Sequence, residues 1–200
     1  MLAALDLPAS LTTTDEFVGH LQQGSETAFR LLVEEHYQRV YRIVLALLRC
    51  PEEAEDVTQE VFVEVYQTIS QFRGEAALST WIYRLATTGA LRHRRKAQAK
   101  KRFAFLTSLF GVDNEAQHHP PDHRHPQALL EGQEQLQQLH VAISQLPDQQ
   151  QVAFTLRHEQ ELSYEEIAAI LETTVPAVES LLFRARQTLR KRIQLQTHLA

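Results

Sequence analysis

Apolar residues recur at spacings of three and four along most of this chain, a period that one face of an α-helix satisfies and a strand does not. Phe29, Leu32, Val33, His36, Val40, Ile43, Val44 and Leu47 make the first stripe. Ala54, Val57, Val61, Val65 and Ile69 make the second, with Glu55, Asp56, Gln59 and Glu60 on the opposite face. A third helix opens on Trp81-Ile82-Tyr83-Arg84-Leu85, and Leu136, Leu139, Ile143 and Leu146 carry a further stripe that Pro147 ends. Strand-like alternation and tight-turn dipeptides are absent, and the 200 residues include only six Gly and seven Pro. The expected fold class is all-α. Apolar residues make up 44% of the chain, enough for a packed core.

Breaks in the period divide the chain. Residues 1–24 read as a loose N-terminus and a first helix. From Ser25 the chain turns helical. Pro51 suits the first turn of a new helix, with Glu52 and Glu53 at its positive end. Gln71 to Leu78, containing Arg73-Gly74, reads as a loop, after which Ser79 or Thr80 is expected to cap the next helix. Residues 25–102 thus form a first helical bundle. Gly111 to Gln127 holds three prolines and four histidines without apolar period, so a flexible linker is placed at 103–128. A chain of that length spans roughly 25–30 Å on average, and a turn of DNA is roughly 34 Å. A second, four-helix domain is expected over 129–195, with Asp148 capping a helix through Val152, Ala153 and Leu156.

The net charge of −5 conceals a strong segregation. Pro51 to Glu64 carries six acidic residues and no basic one. Arg84 to Arg102 carries eight basic and no acidic residues, and Arg184 to Arg192 five basic and none acidic. Separate charged surfaces imply separate partners: an acidic face suits a protein, and basic faces suit a polyanion.

The second domain contains a helix-turn-helix pattern. Ser163 and Glu166 fit a capping box at the start of Tyr164-Glu165-Glu166-Ile167-Ala168-Ala169-Ile170-Leu171. Ile167, Ile170 and Leu171 face inward, and Ala168 is small where two helices cross. Glu172-Thr173-Thr174 makes the turn, Thr174 caps the second helix, and Pro176 sits in its first turn. Val178, Leu182 and Leu189 pack inward, leaving Arg184, Arg186, Arg190, Lys191 and Arg192 polar. A short helix, a tight turn and a second helix ending basic are what major-groove reading requires.

Other residues read more plainly. Cys50, the lone cysteine, follows an apolar run and is a small packed or boundary residue. Trp81 beside Ile82 and Leu85 reads as a core anchor before a DNA-stacking ring. His118, His119, His123 and His125 lack cysteine or paired carboxylate neighbours, so no metal is assigned to them. No phosphate-cradling glycine loop, nucleophile–base motif or His-Glu-x-x-His spacing occurs; neither cofactor nor enzymatic activity is expected. No secretory signal pattern occurs and no stretch reaches the ~20 apolar residues of a membrane span. A cytoplasmic protein without membrane insertion is expected.

Three stretches together resemble the extracytoplasmic-function (ECF) sigma factors, the two-domain group of the bacterial sigma-70 family. They are Ala54-Glu55-Asp56-Val57-Thr58-Gln59-Glu60-Val61-Phe62; Phe72-Arg73-Gly74 with Ser79-Thr80-Trp81-Ile82-Tyr83-Arg84-Leu85-Ala86; and Leu162 to Ala168 with Val175-Pro176-Ala177-Val178-Glu179-Ser180 and Arg184-Ala185-Arg186. The resemblance covers about residues 25–100 and 129–193. It implies that residues 25–102 correspond to sigma region 2 and 129–195 to region 4. It implies that Asp56, Gln59, Glu60 and Phe62 dock on a coiled coil of the largest subunit of core RNA polymerase. It implies that Phe72, Arg73, Ser79, Thr80, Arg84, Thr88, Arg92 and Arg95 engage the minus-ten element of promoter DNA, where a flipped base is captured. Ser163, Tyr164, Thr174, Pro176 and Ala177, with Glu179, Ser180, Arg184 and Arg186, would engage the minus-thirty-five element. An anti-sigma factor clamping both domains is also implied, as is a role in a stress or envelope response.

The chain departs from the family pattern at defined places. Thr88 and Arg92 stand where Asn and Asp are common, Glu172 where the turn usually holds Gly, and Glu179 where the recognition helix usually carries a basic residue. Two other functions compete at this stage: a helix-turn-helix regulator that binds DNA without polymerase, and a protein–protein adaptor that binds no DNA.

Overall fold

The structure is a computed structural model and describes residues 14–109 and 139–197. In chain order these form α1 (Thr14–Gln22), α2 (Glu26–Leu48), α3 (Pro51–Thr68), a 3-10 turn (Ile69–Gln71) and α4 (Leu78–Leu109). They continue with α5 (helical over 139–144), α6 (Asp148–His158), α7 (Tyr164–Ile170) and α8 (Val175–Thr197). No strand occurs among the described residues, as the helical period requires.

Local chemistry sets the helix ends. Ser25 Oγ accepts from the Ala28 N–H at 3.3 Å, starting α2. Arg49 ends it in the left-handed conformation (φ 62°), with its N–H donating to the Leu45 carbonyl. Extended Cys50 is the N-cap of α3 and Pro51 follows it. The chain therefore reverses in two residues, and α3 folds back on α2. Cys50 is a boundary residue, as expected.

Helices α2, α3 and α4 pack around Leu32, Val40, Ile43, Val44, Val57, Val61, Val65, Ile82, Ala86 and Ala90, all essentially buried. The inward set of the second stripe is the expected one. On α1, Gln22 Nε2 donates to the Phe72 carbonyl at 2.9 Å and so ties down the loop before α4.

The start of α4 differs from expectation. The Trp81 N–H donates to the Ala77 carbonyl, so the helix begins at Leu78, and Ser79 and Thr80 lie inside its first turn instead of capping it. Leu78 is buried, and seating that side chain draws the helix start forward. The helix also continues beyond Arg102 to Leu109, into residues assigned to the linker.

In the second domain, Val152, Leu156, Ile167, Val178 and Leu182 are buried where α6, α7 and α8 meet. Ile143 and Leu146 pack with Ala185 and Leu189. Asp148 does not cap α6: Pro147 is the N-cap, without a side-chain bond. The Asp148 carboxylate is instead bound by Arg94 and Arg95 of α4. Leu136 and the four histidines of the linker lie outside the described residues.

The two domains touch. Helix α6 packs on α2, and α7 packs on α4. Fully buried Gln151 donates to the Leu47 carbonyl at 3.4 Å. Buried residues from both domains form one continuous cluster.

Candidate polymerase and nucleic-acid interfaces

On α3, Asp56, Gln59 and Glu60 are exposed on one face while Ala54, Val57 and Val61 point into the bundle. Phe62 is not on that surface. It is 6% exposed and its ring stacks on Tyr37 at 6.1 Å. Its contribution is to hold α3 against α2. Val63 and Tyr66, 55% and 53% exposed, extend the acidic face instead. Tyr66 is fixed edge-on to Phe29 at 5.1 Å. Sequence reasoning missed both, yet Val63 lies four residues after Gln59 and so on the same helix face.

The loop before α4 and its first turns form a cleft of about 530 Å³. Phe72 and Trp81 wall it, their rings 5.4 Å apart, and Arg73 and Arg84 border it. Gly74 turns the loop at φ 73°, a conformation natural to glycine. Trp81 is half-buried, packed on the core by one side and facing the cleft by the other. Ser79 and Thr80 are half-buried, and Thr88 is exposed.

The arginines of α4 have different partners. Arg92 donates to Glu64 of α3 at 3.2 Å. Arg84 donates to Glu172 at 2.5 Å and to the Ala169 carbonyl at 2.7 Å. Arg95 donates to Asp148 through Nε and Nη2 at 2.8 and 2.5 Å. Arg94 binds the second carboxylate oxygen of Asp148. Nearby, Arg39 lies over Tyr83 at 5.9 Å and donates to the Gln160 carbonyl at 2.8 Å. Tyr83 Oη is 3.5 Å from His36 Nδ1. Burial pushes the His36 imidazole below its ordinary pKa, with Glu35 partly opposing.

The helix-turn-helix forms as its sequence requires. The Glu166 N–H donates to Ser163 Oγ at 3.1 Å and the Ser163 N–H donates to Glu166 Oε2 at 2.7 Å, completing the capping box. Glu172 turns the chain at φ 51°. The Ala177 N–H donates to Thr174 Oγ1 at 3.4 Å, so Thr174 caps α8. Tyr164 lies beneath the Arg157 guanidinium at 5.2 Å, and Arg157 donates to the Leu162 carbonyl. Ser163 and Tyr164 thus position α7.

On α8, Pro176, Glu179 and Arg184 are exposed and Ser180 is half-buried, on one face at helical spacing, and Ala177 is half-buried beside them. Arg184 donates to Ser180 Oγ at 2.8 Å, and Arg186 is exposed one turn on from Leu182. Phe183 lies on the face of Pro176, Glu179 and Ser180, 62% exposed. Sequence analysis left it unassigned, because it follows Leu182 of the buried stripe directly and lies one position off that stripe.

An acidic helix face, a basic helix beside an aromatic cleft and a helix-turn-helix together define a protein that meets both another protein and DNA. Comparison with known proteins agrees. The Sigma-70 region 2 family model matches residues 32–100 and the Sigma-70, region 4 model matches 136–189. The RNA polymerase sigma-H factor of Pseudomonas aeruginosa is 32% identical over 179 residues, 90% of this chain and 93% of that protein. The ECF RNA polymerase sigma-E factor of Escherichia coli K12 is 31% identical over 182 residues, 91% and 95% of the two chains. CnrH in complex with the cytosolic domain of CnrY shares the fold with a TM-score of 0.60 at 17% identity, covering 90% of this chain and 96% of that one. So does the sigma factor RpoE bound to the anti-sigma factor NepR from Bartonella quintana, with a TM-score of 0.53 at 22% identity, covering 83% and 96%. The chain belongs to the sigma-70 family, in its extracytoplasmic-function group.

Proposed function

We propose that this sigma factor binds core RNA polymerase through the exposed face of α3 and directs it to promoters by reading DNA with α4 and α8. The observation that carries this reading is the sorting of charge by element: carboxylates outward on α3, arginines along α4 and α8. Carboxylates repel phosphate and so suit a protein partner, while arginines neutralise phosphate.

In this reading residues 25–102 bind polymerase and the minus-ten element, and residues 129–195 bind the minus-thirty-five element. Asp56, Gln59 and Glu60, extended by Val63 and Tyr66, meet the coiled coil of the largest subunit. Phe72, Arg73, Arg84 and Trp81 surround the cleft that receives an unstacked base. Thr88, Arg92 and Arg95 follow the single strand, and Ser79 and Thr80 set the first turn of α4. On α8, Pro176, Ala177, Glu179 and Ser180 face the major groove while Arg184 and Arg186 take phosphate. RNA synthesis remains the polymerase's chemistry. The protein works in the cytoplasm, and no described helix is long and apolar enough to cross a membrane. An anti-sigma factor is the regulatory partner, as NepR is of RpoE in the Bartonella quintana complex, in a stress or envelope response.

Run-off transcription from genomic fragments tests the function. Core polymerase with this protein is expected to give promoter-dependent transcripts, and Asp56→Arg with Glu60→Arg to abolish them by preventing assembly. Duplex binding and no transcription would favour a regulator acting without polymerase; neither would leave only an adaptor.

A further inference from the structure

The loop that carries Phe72 has little packing of its own. Ile69 and Leu78 are buried at its two ends, and no residue between them is. Open space lies on both of its sides. One side is the cleft walled by Phe72 and Trp81; the other is a second cleft, about 510 Å³, between the loop and Asp15, Val18 and Gly19 of α1. Phe72, Arg73 and Ala76 line both, so the loop is a thin wall between them. A wall with few buried apolar contacts takes its position from the polar contacts at its ends.

Gln22 supplies such contacts. Its Nε2 donates to the Phe72 carbonyl at 2.9 Å and to the Ile69 carbonyl at 3.4 Å. The Phe72 N–H donates to that same Ile69 carbonyl at 3.1 Å. A side-chain amide nitrogen carries two hydrogens, one for each carbonyl, so a single side chain closes the turn that delivers the Phe72 ring to its cleft. The amide is itself held in place. Gln22 is the last residue of α1 and follows Leu21, which is buried in the same cluster as Ile69 and Leu78. The Ser25 N–H donates to the His20 carbonyl at 3.0 Å and closes the helix end.

We propose that Gln22 is a positioning residue for base capture: it sets the Phe72 ring against Trp81 and so makes α1 part of the unit that melts the promoter. Helix α1 lies ahead of residue 32, where the match to the region 2 model begins. The inference rests on the assignment of the cleft between Phe72 and Trp81 to an unstacked base. Unstacking is costly and is offset only while the base lies against aromatic faces at stacking distance. Displacing one ring therefore weakens capture without touching the acidic face of α3 or the helix-turn-helix.

Gln22→Glu and Gln22→Ala in the full chain test it. Glutamate keeps the shape, but its carboxylate has no hydrogen to donate and repels both carbonyls, whereas alanine only removes the amide. Gln23→Glu adds the same charge one residue on and is the control, expected to behave as wild type. Trp81 is the lone tryptophan, so acrylamide quenching of its emission in the free protein reads the cleft directly. Both Gln22 variants are expected to raise that quenching, glutamate more than alanine, with helical content unchanged by circular dichroism. Unchanged or reduced quenching overturns the positioning. Run-off yield with core polymerase is then measured on a promoter fragment that the wild type transcribes, once as duplex and once with noncomplementary strands at the minus-ten element. Gln22→Glu is expected to lose about tenfold on the duplex and to regain most of the wild-type yield on the premelted template, where no base has to be unstacked. Equal yields of variant and wild type on the duplex, or equal losses on both templates, overturn the role in capture. A wild type that gives no promoter-dependent transcript overturns the sigma reading itself, and this inference with it, even where the quenching shifts.

Discussion

Replacing Gly89 by alanine is expected to stabilise the first domain by about 1 kcal/mol. Gly89 lies inside α4, where glycine costs about 0.8–1.0 kcal/mol relative to alanine because its unfolded backbone has more freedom to lose. Packing decides whether that gain is realised. A Cβ at this position would lie 3.4 Å from Val61 Cγ2 and 3.7 Å from Val57 Cγ1 on α3. These are contact distances, not overlaps, so the methyl finds a site and displaces nothing. Denaturant unfolding followed by circular dichroism should show a higher midpoint with an unchanged m value. In heat the first domain should gain about 4–8 °C. Gly74→Ala supplies the opposing case. Nothing lies within 4 Å of its added Cβ, but its φ of 73° is left-handed, which costs an L-residue about 1–2 kcal/mol. A destabilised Gly89→Ala would mean that α3 and α4 must approach more closely than these distances. The same sign at both sites would refute the argument from backbone and space together.

Three further outcomes follow from named contacts. Ser163→Ala and Glu166→Ala should each destabilise the second domain by about 1 kcal/mol, and the double variant by less than their sum, because the two bonds of the capping box order the same turn; strict additivity in a thermal-unfolding cycle would contradict this coupling. Glu179→Lys on the exposed face of α8 should tighten binding to nonspecific duplex DNA and raise the salt slope by about one to two phosphate contacts, and an unchanged affinity and slope would remove Glu179 from the DNA face. Burial holds His36 below its ordinary pKa against the opposing effect of Glu35, so the unfolded chain protonates first and this histidine's contribution, present above about pH 6.5, is lost as pH falls toward the lower folded value. His36→Gln should therefore flatten the loss of stability in that window, and an unaltered slope in denaturant titrations would exclude it as the cause.

Much of the helical architecture was legible because it depends on near neighbours. Spacings of three and four named the buried faces of α2, α3, α7 and α8. A serine three residues before a glutamate announced the capping box, and Pro51 and Pro176 marked first turns that formed where expected. Ser79 and Thr80 show where such rules stop. Their chemistry permits capping, but burial of Leu78 began the helix earlier. Phe62 and Phe183 show a second limit. Both are aromatics in amphipathic helices, and only the presence or absence of a neighbouring helix decides which is covered.

Asp148 separates the two kinds of information most clearly. By itself the sequence determined most of the helices, the caps of α7 and α8 and the division of charge among the helices, since these arise within a few residues or along one helix face. Those features were sufficient for the fold class and for the resemblance to sigma factors. Tertiary structure alone decided that the Asp148 carboxylate binds Arg94 and Arg95 instead of capping the start of α6, and that Glu172 meets Arg84. These pairs join residues that are distant in the chain, 53 or more positions apart. No local period or motif encodes such a distance. It follows from how α6 seats on α2 and α7 on α4, and thus from the packing of whole helices.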